Sequence, residues 1–271
     1  MTGDTLAPDP DAASERLTVH PASEIVETSS PLPRKGERDW FGLLVREPLV
    51  LVAVCVVVGL LARLYGLNLV YTSDEGYWLQ RTIRFGDAIL TGNFAATFRS
   101  GHPGVTVMWT GLLGIGLDGI RSYAGEPSFS APVLEATPGA LELMTAARTA
   151  ISLVAAGVFG LAVYLAGRLL GPAGLLGSVL LVADPYTIGM TRLLHVDALL
   201  TPLLLVSVLA GLVYWLKGRQ WAYLILSAVT GGLALLCKAP AITLLPFFGI
   251  VWLVAARPWD TVFERIVAAV S

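Results

Sequence analysis

Six apolar runs constrain the fold of this chain more than any other feature, because each has roughly the 20 residues that a helix needs to cross a bilayer. Hydrophobic residues make up 55% of the 271 residues and charged residues only 14%, against about 45–50% and about 25% in average soluble domains. We therefore predict an all-α membrane protein. The predicted spans lie near residues 48–66, 146–167, 173–194, 198–216, 221–237 and 239–256. Within the third of them, Asp184 and Pro185 predict a bend.

The first 47 residues differ in composition from everything that follows them. They are rich in Pro, Ser, Thr, Asp and Glu and show no apolar periodicity, a composition that predicts a disordered tail. Basic residues crowd its end, at Arg34, Lys35, Arg38 and Arg46. Because basic residues near span ends favour the cytoplasmic side, we expect residues 1–47 to lie in the cytoplasm.

The segment Pro103–Leu117 decides the predicted orientation of every later span. It has 15 residues and contains four glycines, so it is short for a crossing and is better interpreted as an interfacial or re-entrant helix. If it does not cross, Arg168, Lys217 and Arg257 all fall on the cytoplasmic side, as the positive-inside bias requires. The first outer loop then comprises residues 67–145.

If Pro103–Leu117 does not cross the membrane, the charged groups near the opposite ends of the spans all lie on the outer side. A charged group at membrane depth costs about 2.5–3.5 kcal/mol even on lenient insertion scales. A convergent set of such groups therefore indicates a polar cavity. Its members are Asp74, Glu75, His102, Arg148, Asp197 and Lys238.

Two acidic residues, Asp74 and Glu75, come directly after the first span and before an amphipathic segment. We expect that segment to lie on the membrane surface, with Trp78 at headgroup level. In a structural interpretation, Ser73 or Asp74 caps this helix and Glu75 stabilises its positive N-terminal end. In a catalytic interpretation, Asp74 is a general base at the mouth of the cavity.

The other charged candidates also have two interpretations each. Lys238 and Arg148 can hold a phosphate as it gains charge, or they can reach out to lipid headgroups. His102 can donate to a phosphate or occupy a turn before proline. Asp197 can orient a substrate or a cation, or cap its helix. For His195 we expect capping or headgroup contact.

Five short motifs resemble those of membrane glycosyltransferases of the protein O-mannosyltransferase and lipid A aminoarabinose transferase type, which have the GT-C fold. They occur in the family's order, and the resemblance covers about residues 48–256. Asp74-Glu75 is similar to the family's acidic pair, Gly101-His102-Pro103-Gly104 to its His-Pro or Lys-Pro turn, Arg148 to its span-opening arginine, Asp197 to its second aspartate, and Cys237-Lys238-Ala239-Pro240 to its Lys-Gly-Pro segment.

The resemblance implies a GT-C-like helical bundle with juxtamembrane helices in the first outer loop. It also implies transfer of a sugar from a polyprenyl-phosphate donor to a protein, lipid or glycan acceptor on the outer face of the cell membrane. Direct displacement would invert the anomeric centre. The implied roles are catalysis for Asp74 and Glu75, with Asp74 as the base, binding of the donor phosphate for Arg148, Lys238 and His102, and orientation of a substrate or cation for Asp197.

This sequence departs from the family pattern in two respects. Some aminoarabinose transferases have a glutamate before the Lys-Pro turn that is thought to bind a metal, whereas this chain has Gly101 there. A divalent cation and its ligands therefore stay an open question. Family members are also longer, so we expect this chain to be an N-terminal portion in which residues 257–271 begin a further segment.

Two other functional classes stay open on the sequence alone. A lipid or ion transporter also has charged residues around a cavity, but it would place them near mid-membrane and accessible from both sides. A non-catalytic membrane fragment would lose no activity on substitution of Asp74. A nucleic-acid partner is not expected for a chain of this kind.

Overall fold

The computed structural model describes residues 48–69, 71–98, 101, 103–125, 129 and 136–256, all within the compact unit Trp40–Ser271. Its described regular structure is entirely helical, which confirms the predicted all-α class. The α-helices are α1 (Pro48–Leu64), α2 (Ser73–Leu90), α3 (Val105–Tyr123), α4 (Ala140–Ala183), α5 (Pro185–Met190), α6 (Val196–Leu216), α7 (Trp221–Cys237) and α8 (Leu244–Ala256), with 3-10 turns at Phe94–Thr97 and Ala239–Thr243.

The longest helix, α4, turns back on itself near Gly171. This residue has φ 62° and ψ −140°, which breaks the helical backbone. Beyond the break, a Cβ added at Gly174 would lie 2.1 Å from the carbonyl oxygen of Ala166. Val182 shares a buried cluster with Phe159, although a straight helix would separate the two by about 34 Å. The reversal lies where the sequence separates the second and third predicted spans.

Two described helices, α4 and α6, are long and apolar enough to cross a membrane by length and composition. Shorter apolar helices accompany them at Leu49–Leu64, Trp221–Cys237 and Ala239–Ala255. The predicted bend at Asp184 is confirmed, because α4 ends there and the Asp184 carboxylate accepts a hydrogen bond from the Thr187 amide at 2.7 Å. The number of crossings and their orientation stay predictions.

Helix α3 contains the segment that we interpreted as interfacial or re-entrant. It begins after Gly104, whose backbone is left-handed at φ 59°, and it continues past Leu117 to Tyr123. Gly116 interrupts it with φ 71° and ψ 175°. The helical segment therefore continues beyond Leu117 but is broken at Gly116, and its place relative to the membrane stays a prediction.

Helix α2 has the predicted amphipathic pattern, but its apolar side faces the protein. Trp78, Leu79 and Ile83 are buried in a core cluster with residues of α3, α4 and α6. Trp78 therefore packs inside the protein instead of against lipid headgroups, and the depth of α2 relative to the membrane stays a prediction. The same cluster includes Leu194, next to the start of α6, and Cys237 at the end of α7, so it supports one end of the helices as a unit.

The close approach of α3 to α4 depends on Gly114. A Cβ at this position would lie 2.2 Å from the Ala146 carbonyl oxygen, which belongs to a helix backbone that cannot move aside alone. We expect Gly114→Ala to lower the free energy of unfolding by about 1–3 kcal/mol. Gly157→Ala is the matched control, because no atom lies within 4 Å of the added Cβ. Thermal denaturation in detergent measures both, and equal stability of the two variants would contradict the expectation.

Candidate active site

A buried ion pair joins the start of α2 to α4. Arg148 Nε donates to Glu75 Oε1 at 2.6 Å, and Arg148 Nη2 donates to Glu75 Oε2. The two side chains are 1% and 0% exposed. Arg148 Nη1 donates to the Leu67 carbonyl, just after α1. A bidentate pair of this kind fixes geometry as well as charge, so it holds the beginning of α2 in place against α1 and α4.

Glu75 accepts further hydrogen bonds from two backbone amides. The Thr72 amide lies 3.0 Å from Oε2, and the Leu194 amide lies 2.9 Å from Oε1. Burial on its own raises the pKa of Glu75, but the hydrogen bonds and positive charge of Arg148, with those amides, outweigh it and lower the pKa below its ordinary value. Glu75 is therefore ionised at neutral pH and connects α2, α4 and the segment before α6.

The cap of α2 is Thr72, and not Ser73 or Asp74 as the structural interpretation supposed. The Thr72 hydroxyl lies 3.1 Å from Glu75 Oε2, so the two residues are bonded through both side chain and backbone. A threonine three residues before a glutamate is the sequence signature of a capping box. That spacing was the available signal for a structural role of Glu75.

Asp74 is adjacent to Glu75 in sequence but lies in a different environment. Its side chain is 68% exposed, and its carboxylate Oδ2 is 4.0 Å from His195 Nε2. It belongs to the first turn of α2 without being its cap. The protein leaves this carboxylate accessible, whereas it buries the neighbouring one.

Asp197 and Lys238 form a second, partly exposed ion pair. Lys238 Nζ lies 3.0 Å from Asp197 Oδ1 and 3.2 Å from Oδ2, and the side chains are 27% and 31% exposed. Lys238 is the C-cap residue that follows α7, and Asp197 is in the first turn of α6. The contact therefore joins the end of one helix to the beginning of the other, and Asp197 is not a cap.

His195 lies between the two aspartates and is a candidate site residue for which sequence reasoning predicted only capping or headgroup contact. Its Nδ1 accepts a hydrogen bond from the Asp197 amide at 3.3 Å, so it caps α6 as expected. Nδ1 is also 3.3 Å from Asp197 Oδ2. If Nδ1 accepts the amide proton, the neutral ring carries its own proton on Nε2, the atom directed toward Asp74. The cap position next to Asp197 was the available signal.

The turn that precedes α3 also reaches this end of the helices. The Gly104 amide donates to the Cys237 carbonyl at 3.0 Å, one residue before Lys238. A Cβ at Gly104 would lie 2.3 Å from the Trp78 ring, so the close approach requires glycine. His102 itself lies outside the described residues, and its predicted contact with a phosphate stays a prediction.

These placements separate the predicted site residues into two groups. Glu75 and Arg148 are buried and bound to each other, so Arg148 would reach a phosphate only if that pair opened. Asp74, Asp197 and Lys238 are accessible, and His195 lies between the two aspartates. Within the described ranges, no group of three or more His, Cys, Asp or Glu side chains is placed to hold a metal ion. The accessible group offers an ammonium paired with Asp197 and, on the other side of His195, a second carboxylate, that of Asp74.

Comparison with known protein families gives a match that covers just under half of the chain. Residues 141–270 match the model of the family described as dolichyl-phosphate-mannose-protein mannosyltransferase. No curated protein and no solved structure matches the chain significantly. The matched region contains Arg148, Asp197 and Lys238, whereas Asp74 and Glu75 precede it. The match supports a glycosyltransferase of membrane type in general, and it confirms the resemblance to the mannosyltransferase family that the motifs indicated.

Proposed function

We propose that this protein transfers a sugar from a polyprenyl-phosphate donor to a hydroxyl acceptor on the outer face of the membrane, with inversion at the anomeric carbon. The observation that carries the proposal is the accessible group Asp74, His195, Asp197 and Lys238 at one end of the helices. The family match, which names a mannose-phosphate donor and a protein acceptor, supports the same reaction class.

Asp74 is the proposed general base. Its exposed carboxylate can approach an acceptor hydroxyl and take its proton as the oxygen attacks the anomeric carbon. Attack from the face opposite the departing phosphate inverts that carbon. His195, 4.0 Å away, is placed to hold the Asp74 carboxylate through its Nε2.

Lys238 is the proposed ligand of the departing phosphate. An ammonium that is 27% exposed can form charge-assisted hydrogen bonds to phosphate oxygens while it stays oriented by Asp197. Asp197 then has the orienting role that the sequence suggested. The predicted part of His102 in phosphate binding stays within the proposal.

Glu75 and Arg148 have a positioning role in this proposal, in place of the catalytic and phosphate-binding roles implied by the resemblance. Their burial and mutual hydrogen bonds argue against direct contact with a substrate. Instead the pair holds the first turn of α2, and hence Asp74, relative to the segment that carries His195.

The proposal is tested by supplying the intact protein, in lipid nanodiscs, with polyprenyl-phosphate mannose and a panel of hydroxyl acceptors. Sugar transfer with inverted anomeric configuration, read by mass spectrometry and NMR of the product, is the expected result. Translocation of the donor lipid across a vesicle membrane without any transfer would instead identify a transporter and overturn the proposal.

Lys238→Gln is expected to slow transfer by about 10–100-fold, because a hydrogen bond to a charged group contributes about 1.5–3 kcal/mol. The substitution should lower the rate at which bound donor reacts more than it lowers the affinity for the donor. The reason is that negative charge grows on the phosphate as the bond between the sugar and the phosphate breaks. Steady-state kinetics over a range of donor concentrations separate the two. Lys217→Gln, which changes an exposed lysine at the other end of α6, is the control. Equal rates for the two variants would exclude Lys238 from the site.

A further inference from the structure

We infer that a polar cavity between the start of α4 and the α1–α2 connection binds the hydroxyl groups of a hexose-sized sugar. The inference rests on the proposed function for its choice of sugar as the ligand, but it concerns residues to which neither the motifs nor the family match assign a role. The cavity has a volume of about 530 Å³, within the range of about 300–1,000 Å³ typical of small-molecule sites.

One wall of the cavity is a polar stripe on a mainly apolar helix, α4. Glu142, Thr145 and Thr149 line the cavity and follow one another at the spacing of a single helix face. Ala146 lies on the same wall, and Asn68 and Tyr71 close the cavity from the α1–α2 connection. Polar groups are thus concentrated on one side of the first turns of α4.

The side chains of this wall mainly accept hydrogen bonds. The Thr145 hydroxyl donates to the Leu141 carbonyl, and the Thr149 hydroxyl donates to the Thr145 carbonyl, each at 2.8 Å. Their protons are therefore engaged, and each hydroxyl oxygen can still accept a hydrogen bond from a ligand. The Glu142 carboxylate only accepts when ionised, and Asn68 can both accept and donate.

A wall of acceptors suits a ligand that carries several hydroxyl donors. A phosphate has no such donors when fully ionised, and Glu142 would repel it. A sugar ring has both the donors and the apolar C–H surface that an aromatic wall such as Tyr71 can cover. The lining therefore favours a polyol over an anion.

Tyr71 connects the cavity to the candidate active site. The Arg148 guanidinium lies over its ring at 4.7 Å from the centroid, and Tyr71 precedes Asp74 by only three residues. Its hydroxyl is buried and has no hydrogen-bond partner among the residues that the structure describes. A sugar in this cavity would lie beside the segment that holds the proposed base.

The test uses a single accessible thiol in the intact protein. Ala146→Cys places a thiol on the cavity wall, and the natural cysteines, Cys55 and Cys237, are buried. The rate of labelling by a hydrophilic maleimide is measured in nanodiscs with and without methyl α-mannoside. Labelling is expected to slow about fivefold when the mannoside reaches about four times its dissociation constant, because only the unoccupied fraction reacts. Inorganic phosphate should give no protection.

Matched variants separate sugar binding from indirect effects. Thr145→Val with Thr149→Val removes both hydroxyls at nearly constant volume and should abolish protection, whereas Thr145→Ser with Thr149→Ser should keep it. A thiol at exposed Asp118 (Asp118→Cys) should label at the same rate with or without mannoside. Protection that survives the valine changes, or no protection by any mannose compound, would overturn the inference.

A sugar in the cavity could come from the donor lipid or from the acceptor, and the donor lipid itself distinguishes the two sources. Protection by polyprenyl-phosphate mannose but not by polyprenyl phosphate supports the inference and places the sugar of the donor in the cavity. Protection by free mannoside alone supports it and assigns the cavity to a sugar already on the acceptor. A protein that transfers sugar normally but shows no protection refutes this inference and leaves the proposed function intact.

Discussion

Glu75→Gln is expected to lower the free energy of unfolding by about 3–5 kcal/mol, the usual cost of removing one partner of a buried ion pair. Arg148 would keep its charge while its side chain stays 1% exposed. The glutamine would also accept fewer of the hydrogen bonds that Glu75 takes from Arg148, Thr72 and Leu194. The loss is large because each of those donors is at least partly buried.

Chemical denaturation in detergent, followed by tryptophan fluorescence, measures this effect. Asp118→Asn removes an exposed carboxylate from α3 and should change stability by no more than about 0.5 kcal/mol. Glu75→Gln combined with Arg148→Met should recover part of the loss, since no unpaired charge is left buried. If Glu75→Gln were as stable as Asp118→Asn, the pair would not be holding α2 in place.

The sequence predicted the helical class and the meeting of Asp74, Asp197 and Lys238, but it did not predict which charges pair. Glu75 and Arg148 are 73 residues apart, and Asp197 and Lys238 are 41 apart. Span counting places such residues at one end of the helices, yet pairing depends on side-chain directions that no spacing encodes. That is why Glu75 was grouped with Asp74, although one is buried and the other exposed.

The packing of the apolar side of α2 against the protein was not predicted, for a related physical reason. Hydropathy reports that Trp78 and Ile83 avoid water, but lipid and protein interior are both apolar, so the pattern does not distinguish them. In the structure, the apolar side of α2 packs on α3 and α4, so it faces the protein and not lipid. His195 was undervalued in the same way, because a capping role was treated as an alternative to a functional one, whereas the ring both caps α6 and lies near Asp74.

Asp74→Asn is expected to reduce the rate of sugar transfer by about 10²–10⁴-fold, the usual contribution of a general base. The variant should fold as stably as the natural protein, because the side chain is 68% exposed and Thr72, not Asp74, caps α2. Asparagine has nearly the same shape but cannot take the acceptor proton. Binding of polyprenyl-phosphate mannose should change little, since the base acts on the acceptor.

The measurements are initial rates with polyprenyl-phosphate mannose, donor binding at equilibrium, and denaturation of the same preparation. Asp118→Asn is again the control, as a change of the same chemistry at an exposed site on α3. Comparison with Glu75→Gln separates the two neighbouring acids, because that variant should lose stability, whereas Asp74→Asn should lose rate alone. An Asp74→Asn protein that transfers sugar at the natural rate would remove Asp74 from the reaction. If the Asp74→Asn protein unfolded, Asp74 would instead have only a structural role, that of stabilising the start of α2.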